Sequence, residues 1–342
     1  MVIISSFFLS IFGLFNLFGL NHDLFFRQLI YLIFGFLGYY FLKSIGPHFF
    51  RINSKFFYWF FIGVLLITFF VGLEVKGSKR WLNFYFFNFQ ASEFFKVFFI
   101  LFLAEVLIIK NLLSNSFFNF IKTFLYFLLP FIIIFKQPDL GNAMVYFFIF
   151  FAMIMFSAVP KKYLGYLIGL IVVFTPIGWF LMKNYQRARI LSFVNPHLDT
   201  QGTAYNMIQA MITIGSGMFF GRGLGLSTQS RLFFLPENTT DFAFASLVEQ
   251  FGFFGGFFVL IFFTLIFIHL AKKTIYFYYQ KTEDGQKNFL YCLGILTYFV
   301  SQTIINLGMN MGIMPVTGIA LPFISYGGSS VMAILLGLAL LP

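Results

Sequence analysis

Ten predominantly apolar stretches, most of them close to twenty residues long, leave this chain of 342 residues few ways to fold. They run Ile3–Leu20, Leu24–Leu42, Phe56–Leu73, Phe94–Ile109, Phe117–Phe135, Leu140–Val159, Tyr163–Met182, Phe244–Leu270, Phe289–Met311 and Ile319–Leu341. A membrane-crossing helix needs about 20 such residues. In hydrocarbon every backbone N–H and C=O must find its partner inside the protein, which leaves the helix as the choice for separate apolar segments. The expectation is an all-α polytopic membrane protein with about ten transmembrane helices. Residues 1–342 then form one integral membrane domain, with a long extracytoplasmic loop, about 183–243, between helices seven and eight.

Composition agrees, with 60% hydrophobic and 10% charged residues, far from soluble usage. The 60 phenylalanines read as codon bias, since Leu, Ile and Phe are nearly interchangeable against lipid. The first apolar stretch has no basic segment before it and no small-residue cleavage site, so it reads as a retained signal anchor. Cys292 is the single cysteine and cannot form an intramolecular disulfide. His22, His48, His197 and His269 lack metal-ligand spacing. Nothing in the chain points to a nucleic acid partner.

The net charge of +11 is read through topology. Short cytoplasmic loops carry the basic excess. With the N-terminus inside, eleven Lys and Arg fall in inner loops (Lys43, Arg51, Lys55, Lys110, Lys122, Lys161, Lys162, Lys272, Lys273, Lys281, Lys287). Four fall in short outer loops (Lys76, Lys79, Arg80, Lys136). Ten spans then put both termini in the cytoplasm. Lys183, Arg187, Arg189, Arg222 and Arg231 lie around the long outer loop, where cations suit an anionic substrate such as a lipid pyrophosphate.

Tyr185–Gln250 is the only long polar segment in the chain. Irregular backbone at membrane depth must be buried in protein or line water, so function is sought here. Gly215-Ser-Gly217 and Gly221-Arg-Gly223-Leu-Gly225 lack the strand–helix context of a nucleotide motif. They suit a re-entrant loop or close helix packing; alternatively their N–H groups approach a phosphate, with Arg222 supplying charge. At the end of the segment Thr239 or Thr240 can cap the eighth span, placing Asp241 in its first turn near the outer surface. An ionised carboxylate there can act as a base or hold a divalent cation, or simply serve the helix dipole.

Charge inside the spans adds weight. Intramembrane ionisable residues cost about 2.5–3.5 kcal/mol each on insertion scales and are usually paired. Glu93 and Lys96 share one helical face of the fourth span. Glu105, Asp139 and Glu249 are further cases. Glu93, Lys96, Asp139, Asp241 and Glu249 all fall toward the outer half, as an active site opening to that surface requires. A transport path would place polar groups near the midplane.

With these residues in view the chain resembles the SEDS family, the RodA, FtsW and SpoVE group of peptidoglycan glycosyltransferases. The matching pieces are Phe25-Phe-Arg-Gln-Leu29, Gly77-Ser-Lys-Arg-Trp81, Gln90-Ala-Ser-Glu-Phe-Phe-Lys96 and Gln137-Pro-Asp-Leu-Gly-Asn-Ala143. They continue with Tyr185-Gln-Arg-Ala-Arg-Ile190, Thr228-Gln-Ser230, Leu235-Pro-Glu237, Thr240-Asp-Phe242 and Pro322-Phe-Ile-Ser-Tyr-Gly-Gly-Ser-Ser330. In order, between ten spans, they cover nearly the whole chain. Gln-Pro-Asp-Leu-Gly and Thr-Gln-Ser lean toward RodA, while Gly223-Leu-Gly-Leu-Ser227 leans toward FtsW.

The resemblance implies polymerisation of lipid II at the outer membrane face, with inversion at the anomeric carbon. It makes Asp241 the essential aspartate, with Glu93 and Lys96 as a functional pair. It nominates Lys79, Arg80, Trp81, Asp139 and Arg187 for substrate binding, and likewise Gln229, Glu237, Thr240, Ser325 and Tyr326; the glycine-rich loop adds Arg222. It implies no covalently bound cofactor, with a divalent cation (Mg²⁺ or Mn²⁺) at Asp241 as an option. The partners it implies are a class B penicillin-binding protein and other elongasome or divisome membrane proteins. Departures stand at Asn238-Thr-Thr240, where the family usually has His before Thr-Asp, at Glu249-Gln250 for Glu-Glu, and at Ala91 for Pro. A lipid II flippase and a non-catalytic scaffold are the competing readings.

Overall fold

The computed structural model describes residues 1–75, 78–84, 87–108, 116–182, 184–195 and 203–342. Lys76, Gly77, Ile109, Lys110, Lys183, His197 and part of the expected long loop lie outside them. The chain forms helices α1 (Val2–Leu20), α2 (His22–Ile45), α3 (Pro47–Ile52) and α4 (Ser54–Val71). Strands β1 (Leu73–Val75), β2 (Ser78–Asn83) and β3 (Asn88–Phe89) follow, then α5 (Ala91–Val106), α6 (Ser116–Lys136), α7 (Leu140–Phe156) and α8 (Lys161–Leu181). The remainder is α9 (Asn184–Val194), α10 (Thr203–Ser216), α11 (Ala243–Tyr278), α12 (Glu283–Asn310) and α13 (Gly328–Ala339).

Among the described residues, six helices are long and apolar enough to cross a membrane: α1, α2, α4, α6, α11 and α12. α7 and α13 are apolar but shorter. Each expected span finds a helix, yet the tenth begins only at Gly328, because 318–327 is irregular. The expected long loop contains two helices, α9 and α10. A small antiparallel sheet, pairing Glu74 with Lys79 and Leu82 with Phe89, departs from a purely helical chain. It carries Arg80 and Trp81 to the site.

α12 sits at the centre, packed on α5, α7 and α11, while α13 packs on α2 and α5. Polar side chains set the helix starts. Asn21 Oδ1 accepts from Leu24 N–H at 3.1 Å, and Asp139 Oδ1 accepts from Asn142 N–H at 3.2 Å. Each supplies an acceptor to a first-turn N–H that has none inside the helix.

α11 is broken at Gly252, whose φ of +70° and ψ of −168° are non-helical. The glycine-rich segment before it takes up the freed backbone groups. Phe253 and Phe254 N–H donate to the carbonyls of Met218 and Phe219 at 2.8 and 3.2 Å. Arg222 and Gly223 N–H donate to the carbonyls of Glu249 and Gln250 at 2.9 and 3.1 Å. A Cβ at Gly217 or Gly221 would lie 2.1 Å from a carbonyl oxygen of α11, so only glycine permits this approach. The loop therefore acts as a re-entrant brace, and the N–H groups of Gly217, Gly221, Arg222, Gly223 and Gly225 are taken up within the protein.

Candidate functional site

A cavity of about 320 Å³ opens where the sheet, α5, the segment before α11 and the segment before α13 meet. Its lining brings together Arg80, Trp81, Glu93, Thr240, Asp241 and Tyr326 from the expected site, and adds Gln90, Asn142, Gly318 and Ser330. A larger cavity of about 530 Å³ between α1 and α2 is apolar apart from Ser10 and Tyr40, which suits lipid chains rather than chemistry.

Asp241 precedes α11 instead of lying in its first turn. The helix starts at Ala243 with Phe242 as N-cap and no side-chain cap, so neither threonine caps it. Thr240 Oγ1 instead donates to Glu237 Oε2 at 2.9 Å. Two asparagines of α12 hold Asp241 by its main chain: Asn306 and Asn310 Nδ2 donate to its carbonyl at 3.0 and 3.1 Å. Asn306 also reaches the Ile319 carbonyl at 2.7 Å, and Gln302 Nε2 reaches that of Ala320 at 2.8 Å. Ser325 Oγ donates to the Thr240 carbonyl at 2.6 Å, and Tyr326 N–H to that of Thr239 at 2.8 Å. The irregular stretches on both sides of Asp241 are thus tied to one rigid helix and to each other. Ser325 works here as a brace and does not line the cavity.

Glu93 stands at the cavity wall and Lys96 is sealed beneath it with no exposure. Lys96 Nζ donates to Glu93 Oε1 at 2.8 Å, Asn142 Oδ1 at 2.8 Å and Gln302 Oε1 at 3.3 Å, and lies 4.6 Å from the Tyr298 ring centroid. All three ammonium donors have acceptors, which makes a buried cation tolerable. Asp139 is also buried. Its carboxylate accepts from Asn142 and from Gln90 and lies 3.6 Å from Arg80. Arg80 also donates to the Gln137 and Pro138 carbonyls. Asp139 therefore positions Arg80 and Asn142, and of these charges Arg80 lines the cavity.

Five other expected residues lie elsewhere. Lys79 lines a separate pocket with Glu74, Lys136 and Pro138. Arg187 binds the Trp179 and Phe180 carbonyls at the end of α8, at 2.9 and 2.7 Å. Arg222 is exposed on the re-entrant brace. Glu237 is exposed beside Thr240. Gln229 belongs to a clamp around Glu249, which is fully buried. Glu249 accepts from the N–H groups of Thr228, Gln229 and Ser230 at 2.8, 2.8 and 3.0 Å, and from Ser230 Oγ at 2.6 Å. Three successive N–H groups on one carboxylate are the reverse of a substrate site, because the protein supplies its own anion. Glu105 pairs with Lys287 at 3.0 Å, away from the cavity lining.

Sequence reasoning missed the α12 residues that hold Asp241. Their signal was present: Tyr298, Gln302, Asn306 and Asn310 recur every four residues and form one polar stripe along an otherwise apolar helix.

Comparison with known proteins bears on the fold as a whole. Residues 1–342 match the family described as cell cycle proteins of the FtsW, RodA and SpoVE type. The chain is 34% identical to a probable peptidoglycan glycosyltransferase FtsW of Buchnera aphidicola subsp. Schizaphis graminum, over 94% of this chain and 91% of that one. It is 35% identical to the stage V sporulation protein E of Bacillus subtilis, over 92% and 85% of the two chains. Among solved structures, a chain from a peptidoglycan synthase complex coordinating polymerization and crosslinking superposes with a TM-score of 0.82 at 26% identity. That match covers 99% of this chain and 95% of the other. The rod shape determining protein RodA of Thermus thermophilus shares the fold, with a TM-score of 0.73 at 24% identity over 99% and 94% of the two chains.

Proposed function

The chain belongs to the FtsW/RodA/SpoVE family, and from that premise we propose that it is a peptidoglycan glycosyltransferase that polymerises lipid II. The observation that carries this reading is the single cavity that gathers Asp241, Glu93 and Arg80. The Asp241 carboxylate takes the proton from the C4 hydroxyl of one substrate. The hydroxyl oxygen bonds to C1 of the other, the C1–O bond to the lipid diphosphate breaks, and the anomeric centre inverts. Arg80, at the cavity wall, offsets charge as the diphosphate departs. Braced main chain around Asp241 keeps the base in place without spending binding energy on it.

A divalent cation such as Mg²⁺ fits as a companion of the substrate. Among the described residues no three of His, Cys, Asp and Glu cluster closely enough to hold a metal alone. Mg²⁺ commonly rests on one or two carboxylates plus substrate phosphates, and Asp241 would be the carboxylate. Bound there it would neutralise phosphate charge.

The enzyme works in the bacterial cytoplasmic membrane, with both termini inside and the cavity facing outward, as the basic bias of the short loops favours. Lipid II meets it there, together with a class B penicillin-binding protein. The flippase reading is weaker because the polar network beneath the cavity ends in Lys96, enclosed by Asn142, Gln302 and Tyr298, and offers a headgroup no onward path. A scaffold would need none of these groups. Incubation of purified protein with lipid II, with and without the partner transpeptidase and Mg²⁺, tests the reading. Glycan polymer is the expected product, diminished by chelation if the cation takes part. Translocation of lipid II across vesicles without polymer would overturn it.

A further inference from the structure

The first turn of α13 opens onto the same cavity through Tyr326, Gly327, Gly328 and Ser330. A helix start carries about half a unit of positive charge and leaves its first N–H groups without partners inside the helix. In this helix of 12 residues the N-cap is Gly327, which has no side chain to cap with. The Gly327 N–H donates to Gln28 Oε1 at 3.1 Å. The N–H groups of Gly328, Ser329 and Ser330 have no partner among the described residues.

The two serines of the turn divide their roles. Ser329 Oγ donates to the Asn88 carbonyl at 2.8 Å and accepts from the Gln90 N–H at 3.0 Å, pinning α13 to the sheet. Ser330 is 8% exposed, lines the cavity, and its Oγ has no hydrogen-bond partner among the described residues. A buried hydroxyl left without a partner costs free energy, so this one is placed for a ligand. Arg27 lies beside Tyr326 and brings a cation near the same end of the cavity.

We propose that the N-terminus of α13, with Ser330 Oγ, is the subsite that binds the diphosphate of the lipid-linked substrate. The recognising chemistry is a cluster of N–H and O–H donors on a positive helix end, which suits a phosphate dianion. This inference rests on the proposed glycosyl transfer and assigns its leaving group a place. Asp241 shares the cavity, so a sugar attached to that diphosphate is held beside the base.

The test is binding of inorganic pyrophosphate and of undecaprenyl diphosphate to detergent-purified protein, by calorimetry, on wild type and two variants. At Gly327 φ is 168°, extended backbone open to any residue, and the nearest atom to an added Cβ is Ser330 Cβ at 3.8 Å. Gly327→Asp should therefore fold, cap the helix with its own carboxylate, and abolish binding of both ligands. Ser330→Ala should weaken both ligands about tenfold or more, the worth of one hydrogen bond to a charged group.

Wild-type affinity in folded Gly327→Asp and Ser330→Ala overturns the proposal; if Gly327→Asp does not fold, unchanged affinity in Ser330→Ala alone does so. A response limited to the lipid ligand places the contact on the prenyl chain and also overturns it. The two readings fail separately. Protein that polymerises lipid II but binds diphosphate without regard to α13 contradicts only this inference. Protein whose α13 binds diphosphate but makes no glycan contradicts only the transferase.

Discussion

Asn306 holds Asp241 by its main chain: the amide Nδ2 lies 3.0 Å from the Asp241 carbonyl and 2.7 Å from the Ile319 carbonyl. One side chain thus fastens the chain at Asp241 to the segment at Ile319. Asn306→Leu leaves the Ile319 carbonyl buried without this donor, while Asp241 keeps Asn310. The expected loss of stability is about 1–3 kcal/mol, with turnover reduced about tenfold and substrate binding little changed. Thermal melting and steady-state kinetics check it; unchanged turnover would mean that the brace does not position the base.

Glu93 and Lys96 separate structural from catalytic roles. Glu93→Leu alone strands a buried ammonium, which typically costs about 3–5 kcal/mol, moderated here by Asn142 and Gln302. The Glu93→Leu, Lys96→Met double variant removes both charges but leaves those two amides without their cation. It should be more stable than the single variant and still lose most activity. A stable double variant with full polymer yield would make the pair structural only.

Glu249 clamps the stretch from Thr228 to Ser230 that leads toward Asp241. Glu249→Gln removes the charge and turns an amide N–H₂ toward N–H donors. A loss of about 3 kcal/mol is expected, at roughly 1.5–3 kcal/mol for each charged hydrogen bond, with protease cutting between residues 217 and 235 as the local readout. Wild-type resistance to cutting would contradict the clamp.

Much of this was legible beforehand, and the reasons differ by element. Helices announced themselves because lipid permits little else, so every apolar stretch found one. Helix ends were harder: the tenth stretch kept its hydropathy through Ile319–Phe323 although the chain there bends around Asp241. Glu93 and Lys96 were visible as charges too costly to be idle, and Arg80 as part of an outer-loop motif of the family resemblance. Asp139 and Glu249 raised the same signal but are satisfied internally, one as a helix cap and one as a loop clamp. Charge alone cannot tell an anion that awaits a ligand from one already bound by N–H groups. For Arg222 and the glycines around it, the sequence left close packing and phosphate contact both open; in the structure the N–H groups of Arg222 and Gly223 pair with carbonyls next to the break at Gly252.

Orientation can be read from one exposed residue. Arg231 is exposed and lies on the stretch proposed to face outward. In protein with Cys292→Ala, Arg231→Cys should react with an impermeant thiol reagent in intact protoplasts. Labelling only after lysis would place this face in the cytoplasm and remove the site from its substrate.

The most direct measurement is polymerisation of lipid II by Asp241→Asn protein beside wild type, both checked by melting temperature and by binding of undecaprenyl diphosphate. Asparagine keeps the shape and the main-chain bonds to Asn306 and Asn310 but cannot take a proton. The account predicts an unchanged fold, retained diphosphate binding at α13 and no detectable glycan. Polymer made at the wild-type rate by folded Asp241→Asn protein would contradict it.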